Sequence, residues 1–167
     1  MNGAARPAFS PGDALTVVAR WALAGVFLYL GAEKALQPVE FLKLLRQFGI
    51  FETPWLLNLT AAALPWFEIV CGLLLLLGVA VRGAALVVLG LLVPFTVFVL
   101  LRALELRGAS GLALCAIKFD CGCGAGEVFA CRKLAENALL MVLSLGLVVS
   151  GRDRFCLRHT LWPARPG

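Results

Sequence analysis

The chain has 167 residues, of which 61% are hydrophobic and only 15% are charged, and its mean hydropathy is +0.93. Soluble domains average about 45–50% apolar and about 25% charged residues, and a globule of this size cannot bury such an excess. The formal net charge of +5 comes from Lys and Arg residues placed mostly at the ends of apolar runs. Because no basic stripe exists, nucleic acid is excluded as a partner. The sequence predicts a single integral membrane domain over residues 1–167, with the lipid bilayer around it.

Four apolar segments are long enough to cross a bilayer as helices, which takes about 20 residues. They cover approximately residues 14–33, 55–79, 83–102 and 133–150. Runs of this length without alternating polarity exclude the strands of a membrane barrel. We therefore expect an all-α fold, a bundle of four transmembrane helices. The first run lacks a cleavage site after a short apolar stretch, so we interpret it as a retained span.

The connection between the first two spans has an amphipathic pattern. Phe41, Leu44, Leu45 and Phe48 recur at helical spacing, with polar and charged residues between them. This pattern predicts an amphipathic segment between helices one and two that lies in the headgroup plane, on the side of the cysteine loop. A partly buried loop helix is the alternative.

The membrane orientation depends on the charges that flank the spans. With four spans, both termini lie on one side, together with the short hairpin at Arg82, and Lys and Arg divide almost equally between the two sides. Acidic residues divide less evenly between the two sides, because only Asp13 and Asp153 lie on the side of the termini. Disulfides also persist mainly outside the cytosol. We expect a multi-pass protein of the bacterial inner membrane with its cysteine loop outside.

Four of the six cysteines lie within 17 residues between the third and fourth spans: Cys115, Cys121, Cys123 and Cys131. A disulfide within Cys-x-Cys closes a very small ring, and strained, exposed disulfides are the more oxidising kind. We therefore expect Cys121 and Cys123 to be the catalytic pair, which exchanges disulfides with an extracytoplasmic or membrane redox partner protein. Cys131 lies where the fourth helix should begin, and a helix N-terminus favours a thiolate. With Cys115 it is expected to form either a second redox pair or a structural bridge.

Two other interpretations of the cysteine segment stay open. The cysteines could form disulfides that only fasten the loop, in a non-catalytic membrane subunit or maturation factor. They could also bind zinc or an iron–sulfur cluster, although their spacing lacks the paired Cys-x2-Cys units usual for such sites. We predict no metal.

Polar residues inside the spans form a second candidate site. A charge at the bilayer centre costs about 2.5–3.5 kcal/mol on insertion scales, so Glu68 should face the bundle and form an ion pair. Arg20 in helix one is the expected partner, while Lys34 and Asn137 are expected to line the opposite mouth of the bundle. A structural ion pair and a proton or quinone site are both possible functions. Thiol oxidation must pass two electrons and two protons to an acceptor, and a quinone is the candidate cofactor, although no quinone motif is visible.

Three ordered pieces of the chain resemble the DoxX/MauE group of redox-associated four-helix membrane proteins. They are Gly31-Ala-Glu-Lys34, Pro65-Trp-Phe-Glu68-Ile-Val-Cys-Gly72, and Asp120-Cys-Gly-Cys123-Gly before Arg132. The resemblance covers nearly the full length. It implies a role in making or maintaining disulfides in partner proteins, or in sulfur- or quinone-linked redox chemistry. MauE relatives are associated with maturation of the disulfide-rich small subunit of methylamine dehydrogenase, and DoxD-type relatives with thiosulfate:quinone oxidoreduction. Methylamine is not carried over as a substrate.

Overall fold

Five α-helices make up most of the structure, a computed structural model that describes residues 11–47, 49, 53–120 and 127–150. The helices are α1 (Pro11–Leu36), α2 (Pro38–Gln47), α3 (Pro54–Leu77), α4 (Val81–Ser110) and α5 (Ala130–Ser150). Between α4 and α5 lie a 3-10 turn (Leu114–Ala116) and two short strands, β1 (Lys118–Asp120) and β2 (Glu127–Phe129). The predicted all-α fold is confirmed, and the strand pair is an addition to it.

Four of these helices, α1, α3, α4 and α5, are long and apolar enough to cross a membrane. The largest difference from the predicted spans is in α4, which continues past residue 102 to Ser110. Hydropathy falls there because Arg102, Glu105 and Arg107 follow the apolar run, but these residues are compatible with a helix. The helix is capped by Gly111, the residue after its end, whose φ of 67° suits glycine.

Large apolar side chains cover the outer faces of the spanning helices. Trp66 is 63% exposed and Val142 is 66% exposed, for example. Such a surface would be an aggregation liability in water, whereas lipid tails solvate it. The structure is therefore that of an integral membrane protein.

The helices α1 and α3 approach each other closely at two glycines. A Cβ on Gly31 would lie 2.9 Å from the Pro65 carbonyl oxygen, and one on Gly72 would lie 2.8 Å from Cγ of Leu28. Small residues at such crossings allow two membrane helices to pack backbone against backbone. The contacts also set the register of the pair, because they place Gly31 of α1 beside Glu68 of α3.

We expect Gly31→Ala to destabilise the bundle by about 1–3 kcal/mol, because the new methyl group meets the backbone oxygen of Pro65. Gly25→Ala is the matched control, since no atom lies within 4 Å of a Cβ at that position of the same helix. Alanine is the better helix former, so the control should be neutral or slightly stabilising. Unfolding in mixed detergent micelles measures both. Equal effects of the two substitutions would contradict the close approach.

Helix α2 packs its apolar face against α3. Phe41, Leu44 and Leu45 are buried, and Phe41 and Leu45 share a cluster with Leu57 and Ala61. This arrangement corresponds to the partly buried loop helix, since the apolar side contacts protein. Phe48 lies outside the described residues, and the position of α2 relative to the headgroups stays a prediction.

A small β-hairpin packs on the ends of α4 and α5. Ile117 and Phe119 are buried against Val99, Ala103 and Ala130. The strands pair antiparallel, with Lys118 opposite Phe129 and Asp120 opposite Glu127. Asp120 and Glu127, which flank segment 121–126 in the chain, therefore lie side by side. Three-residue strands are too short to show a period in the sequence.

Candidate functional site

A disulfide joins Cys115 and Cys131 at the base of the hairpin. Cys115 is exposed in the 3-10 turn, and Cys131 is half-buried as the second residue of α5. Next to the bridge, the Ala130 amide donates a hydrogen bond to the Ile117 carbonyl oxygen at 3.0 Å. This disulfide is compatible with both roles expected for the pair, a second redox pair and a structural bridge. A further part in electron exchange stays a prediction.

Cys121 and Cys123, the predicted catalytic pair, lie outside the described residues. The residues that flank segment 121–126 in the chain are described. Asp120 and Glu127 are partners in the strand pairing. The Cys115–Cys131 disulfide joins the residues that precede β1 and follow β2. The strand pair and the disulfide thus fix the residues on either side of the Cys-x-Cys sequence.

A buried ion pair joins α1 to α3. The ammonium Nζ of Lys34 donates to both carboxylate oxygens of Glu68, at 2.5 and 2.7 Å. Both residues are only 6% exposed. The same ammonium lies 5.6 Å from the centre of the Phe41 ring, so α2 covers the pair.

The expected pairing of Glu68 with Arg20 is therefore wrong. Gly31 lies beside Glu68, and Arg20 precedes Gly31 by 11 residues, a distance of about 16 Å along a helix. Arg20 is also buried, at 3% exposure, but it belongs to the part of α1 nearer the N-terminus. The register of α1 against α3, which sequence alone does not supply, decides which basic residue reaches the carboxylate.

Helix α5 contributes a lysine and an amide to the same region. Asn137 is 1% exposed, and its amide donates to the Thr96 hydroxyl at 3.2 Å. The Thr96 hydroxyl donates in turn to the Leu92 carbonyl oxygen at 2.7 Å, which ties α5 to α4. Lys133, one turn before Asn137, is 6% exposed. The nearest acidic group to its ammonium is Glu136, at 3.8 Å.

These side chains surround a cavity of about 220 Å³. Its polar wall includes Lys34, Glu68, Lys133 and Asn137, and its other walls are mostly Leu and Phe side chains from α1 to α5. Lys34 and Asn137 thus line one cavity, and Glu68 lies there with them rather than toward the other end of the bundle. We call this group of four the polar cluster.

The sequence interpretation did not include Lys133 among the site residues. Lys133 and Asn137 are four residues apart and so share one helix face. Ala130 and Ser144, which are also buried, lie on that face. In the sequence, the sign that Lys133 is buried is this face of small and polar residues on an otherwise apolar helix. Lys133 instead resembles a charged residue that flanks a membrane span, because it follows Arg132 at the edge of the predicted span.

The sequence model of the family described as methylamine utilisation protein MauE matches residues 12–150. No curated protein and no solved structure matches the chain. The match includes all four membrane-spanning helices, the bridged cysteine segment and the polar cluster, and it does not support the DoxX part of the resemblance. This chain belongs to the MauE family and is an integral membrane protein.

Proposed function

We propose that the protein is a membrane thiol–disulfide exchange protein whose Cys121–Cys123 disulfide oxidises dithiols in a partner protein. A partner thiolate attacks one sulfur of the pair and forms a mixed disulfide. The second partner thiol then displaces the loop sulfur, so the partner gains a disulfide and the loop keeps a dithiol. The observation that supports the proposal is the strand pair and the Cys115–Cys131 disulfide on α4 and α5, because Asp120 and Glu127 of these strands flank the Cys-x-Cys sequence in the chain.

The loop dithiol must then be reoxidised by an acceptor from the bilayer. We propose a quinone, because it takes two electrons and two protons together and dissolves in the lipid. The dithiol returns to a disulfide and the quinone becomes a hydroquinone. The cavity next to the polar cluster supports this proposal, since its mostly apolar wall carries a few polar groups.

The partner in this proposal is an extracytoplasmic or membrane protein that acquires disulfides during maturation. The MauE description connects the family to methylamine utilisation, and the resemblance of the sequence motifs favours help with a disulfide-rich redox enzyme. Methylamine itself is not a proposed substrate.

A second candidate is a maturation factor without redox activity, in which all loop disulfides are structural. The observation that favours it is the Cys115–Cys131 bridge, which joins the start of α5 to the turn after α4. This alternative predicts that no loop cysteine changes its redox state while the protein assists maturation of its partner.

The proposal is tested with purified protein in nanodiscs that contain quinone, mixed with a reduced disulfide-forming substrate protein. Cys121→Ser and Cys123→Ser are each expected to lower the rate of substrate oxidation at least about a hundredfold, because exchange needs both sulfurs. When the substrate protein is supplied in its oxidised form instead, one of the two variants should accumulate a mixed disulfide, because its remaining thiolate opens the substrate's disulfide and no second loop thiol is present to release the product.

Cys71→Ala is the control for this assay. Cys71 is a free cysteine in α3 at 4% exposure, so its removal should leave the rate unchanged. Full activity of Cys121→Ser would eliminate the exchange mechanism in favour of the structural alternative.

A further inference from the structure

Lys133 is a buried cation without a hydrogen bond in the part of the chain that the structure describes. Its ammonium lies 3.8 Å from Glu136 Oε2, which is beyond hydrogen-bond distance, and Glu136 is itself 44% exposed. The Lys133 side chain is only 8% exposed and borders the cavity. A buried ammonium with one long ion pair and no acceptor within hydrogen-bond distance among the described residues is costly, so this group is suited to an acceptor atom supplied by a ligand.

We propose that the cavity binds the headgroup of a quinone, with the Lys133 ammonium donating a hydrogen bond to one carbonyl oxygen of the ring. This inference rests on the proposed function and identifies the site of its electron acceptor. It assigns Lys133 and the Lys34–Glu68 pair to the headgroup end of the cavity.

The size of the cavity is sufficient for a substituted ring. A cavity of about 150 Å³ in another protein holds benzene, and the present one measures about 220 Å³. Its walls include four phenylalanines, Phe27, Phe41, Phe95 and Phe98. Aromatic walls favour a flat ring, because stacked and edge-to-face ring pairs contribute beyond their buried area.

The charge of the polar cluster favours an oxygen that becomes more negative on reduction. Two lysines face one carboxylate, so Lys34, Lys133 and Glu68 carry one net positive charge when all are ionised. A plain hydrocarbon tail would leave the Lys133 ammonium without an acceptor. A quinone carbonyl supplies that acceptor, and the cation stabilises the negative charge that develops as the ring takes up electrons.

The Cys115–Cys131 bridge does not face this cavity. Cys131 precedes Lys133 by two residues, which is about 200° around a helix, and neither cysteine of the bridge lines the cavity wall. The bridge is therefore not the direct donor to the ring. In the overall step, the Cys121–Cys123 dithiol loses two electrons and two protons, and the quinone gains them as hydroquinone.

The site is tested by photolabelling with an azido-benzoquinone that carries a decyl tail. The protein carries Cys121→Ser and Cys123→Ser, is held in phosphatidylcholine nanodiscs, and the label is located by mass spectrometry. We expect the label on cavity-lining segments of α3, α4 and α5, with competition by unlabelled decyl-benzoquinone. Lys133→Met should lower the labelling at least about tenfold, through loss of one charge-assisted hydrogen bond.

Arg132→Met is the matched control, because it removes the same charge from the neighbouring residue, whose side chain is 75% exposed. It should label like the parent. Leu64→Trp fills the cavity without changing its charge and should also lose the label. Circular dichroism verifies the fold of each variant. The position of the label in the parent protein tests the site even if a variant fails to fold.

Three results would overturn the site: label outside the cavity, equal labelling of Lys133→Met and Arg132→Met, or displacement by oleate but not by the unlabelled quinone. The last outcome would make the occupant a fatty acid. Because the labelled protein lacks the exchanging cysteines, labelling and substrate oxidation are measured on separate proteins. Absence of label in the cavity, beside normal substrate oxidation by the chain that keeps Cys121 and Cys123, refutes this site alone. Normal labelling beside absent exchange refutes the proposed function alone.

Discussion

Glu68→Gln is expected to lower the free energy of unfolding by about 3–5 kcal/mol, the range measured when one member of a buried ion pair is removed. The substitution leaves Lys34 and Lys133 next to one cavity with no carboxylate between them. Lys34→Met should cost about half as much, because Lys133 remains as a cation for Glu68. Because the polar cluster has two lysines and one carboxylate, we predict a larger loss of stability when Glu68 is replaced than when Lys34 is replaced.

Unfolding in mixed micelles, followed by circular dichroism, measures these differences. Adding Lys133→Met to Glu68→Gln should recover part of the loss, since it removes one of the two lysine charges that line the cavity. The exposed pair Lys43–Glu40, with side chains 63% and 64% exposed, provides the control. Glu40→Gln should change stability by at most about 1 kcal/mol. A larger loss for Lys34→Met than for Glu68→Gln would contradict the assigned cluster.

Removal of the Cys115–Cys131 bridge by a double Cys→Ser substitution is expected to destabilise the hairpin by about 3 kcal/mol. The bridge spans a sequence separation of 16 residues, and the chain-entropy model gives about this value for a loop of such length. The main helix core, around Leu23, Phe27 and Leu75, does not include the hairpin. The loss should therefore stay local.

Amide hydrogen exchange tests the bridge prediction. Protection of the β1 and β2 amides should fall about a hundredfold, which corresponds to about 3 kcal/mol. The helices should keep their protection, and Cys71→Ala should leave the hairpin unchanged. If the strand amides keep their protection without the bridge, then the apolar contacts of Ile117 and Phe119 alone hold the hairpin.

The sequence predicted the membrane bundle well because long apolar runs have few alternatives in lipid. The extent of α4 was underestimated, since charged residues after position 102 end a hydropathy window without ending a helix. The hairpin was not predicted, because its strands have only three residues each and their pairing depends on Ile117 and Phe119 finding a core on α4 and α5.

The sequence indicates most residues of the polar cluster but not the contacts between them. Glu68, Lys34 and Asn137 were selected because polar groups in a span are costly unless they face the bundle. Their mutual arrangement depends on the α1–α3 register, which the close approaches at Gly31 and Gly72 determine. Periodicity within each helix does not contain that information. Lys133 was missed for a related reason, because its burial depends on how α5 rotates against α4.

The most direct test of disulfide exchange by Cys121 and Cys123 is the thiol state of each loop cysteine across glutathione buffers. Cleavage after Lys118 and after Glu127 places Cys121 and Cys123 in a peptide separate from Cys115 and Cys131, so differential alkylation and mass spectrometry can follow the pairs independently. We predict that the Cys121–Cys123 pair converts between oxidised and reduced forms within the glutathione range, while Cys115–Cys131 stays oxidised. Four cysteines that remain oxidised throughout, or that hold a stoichiometric metal ion, would contradict the account.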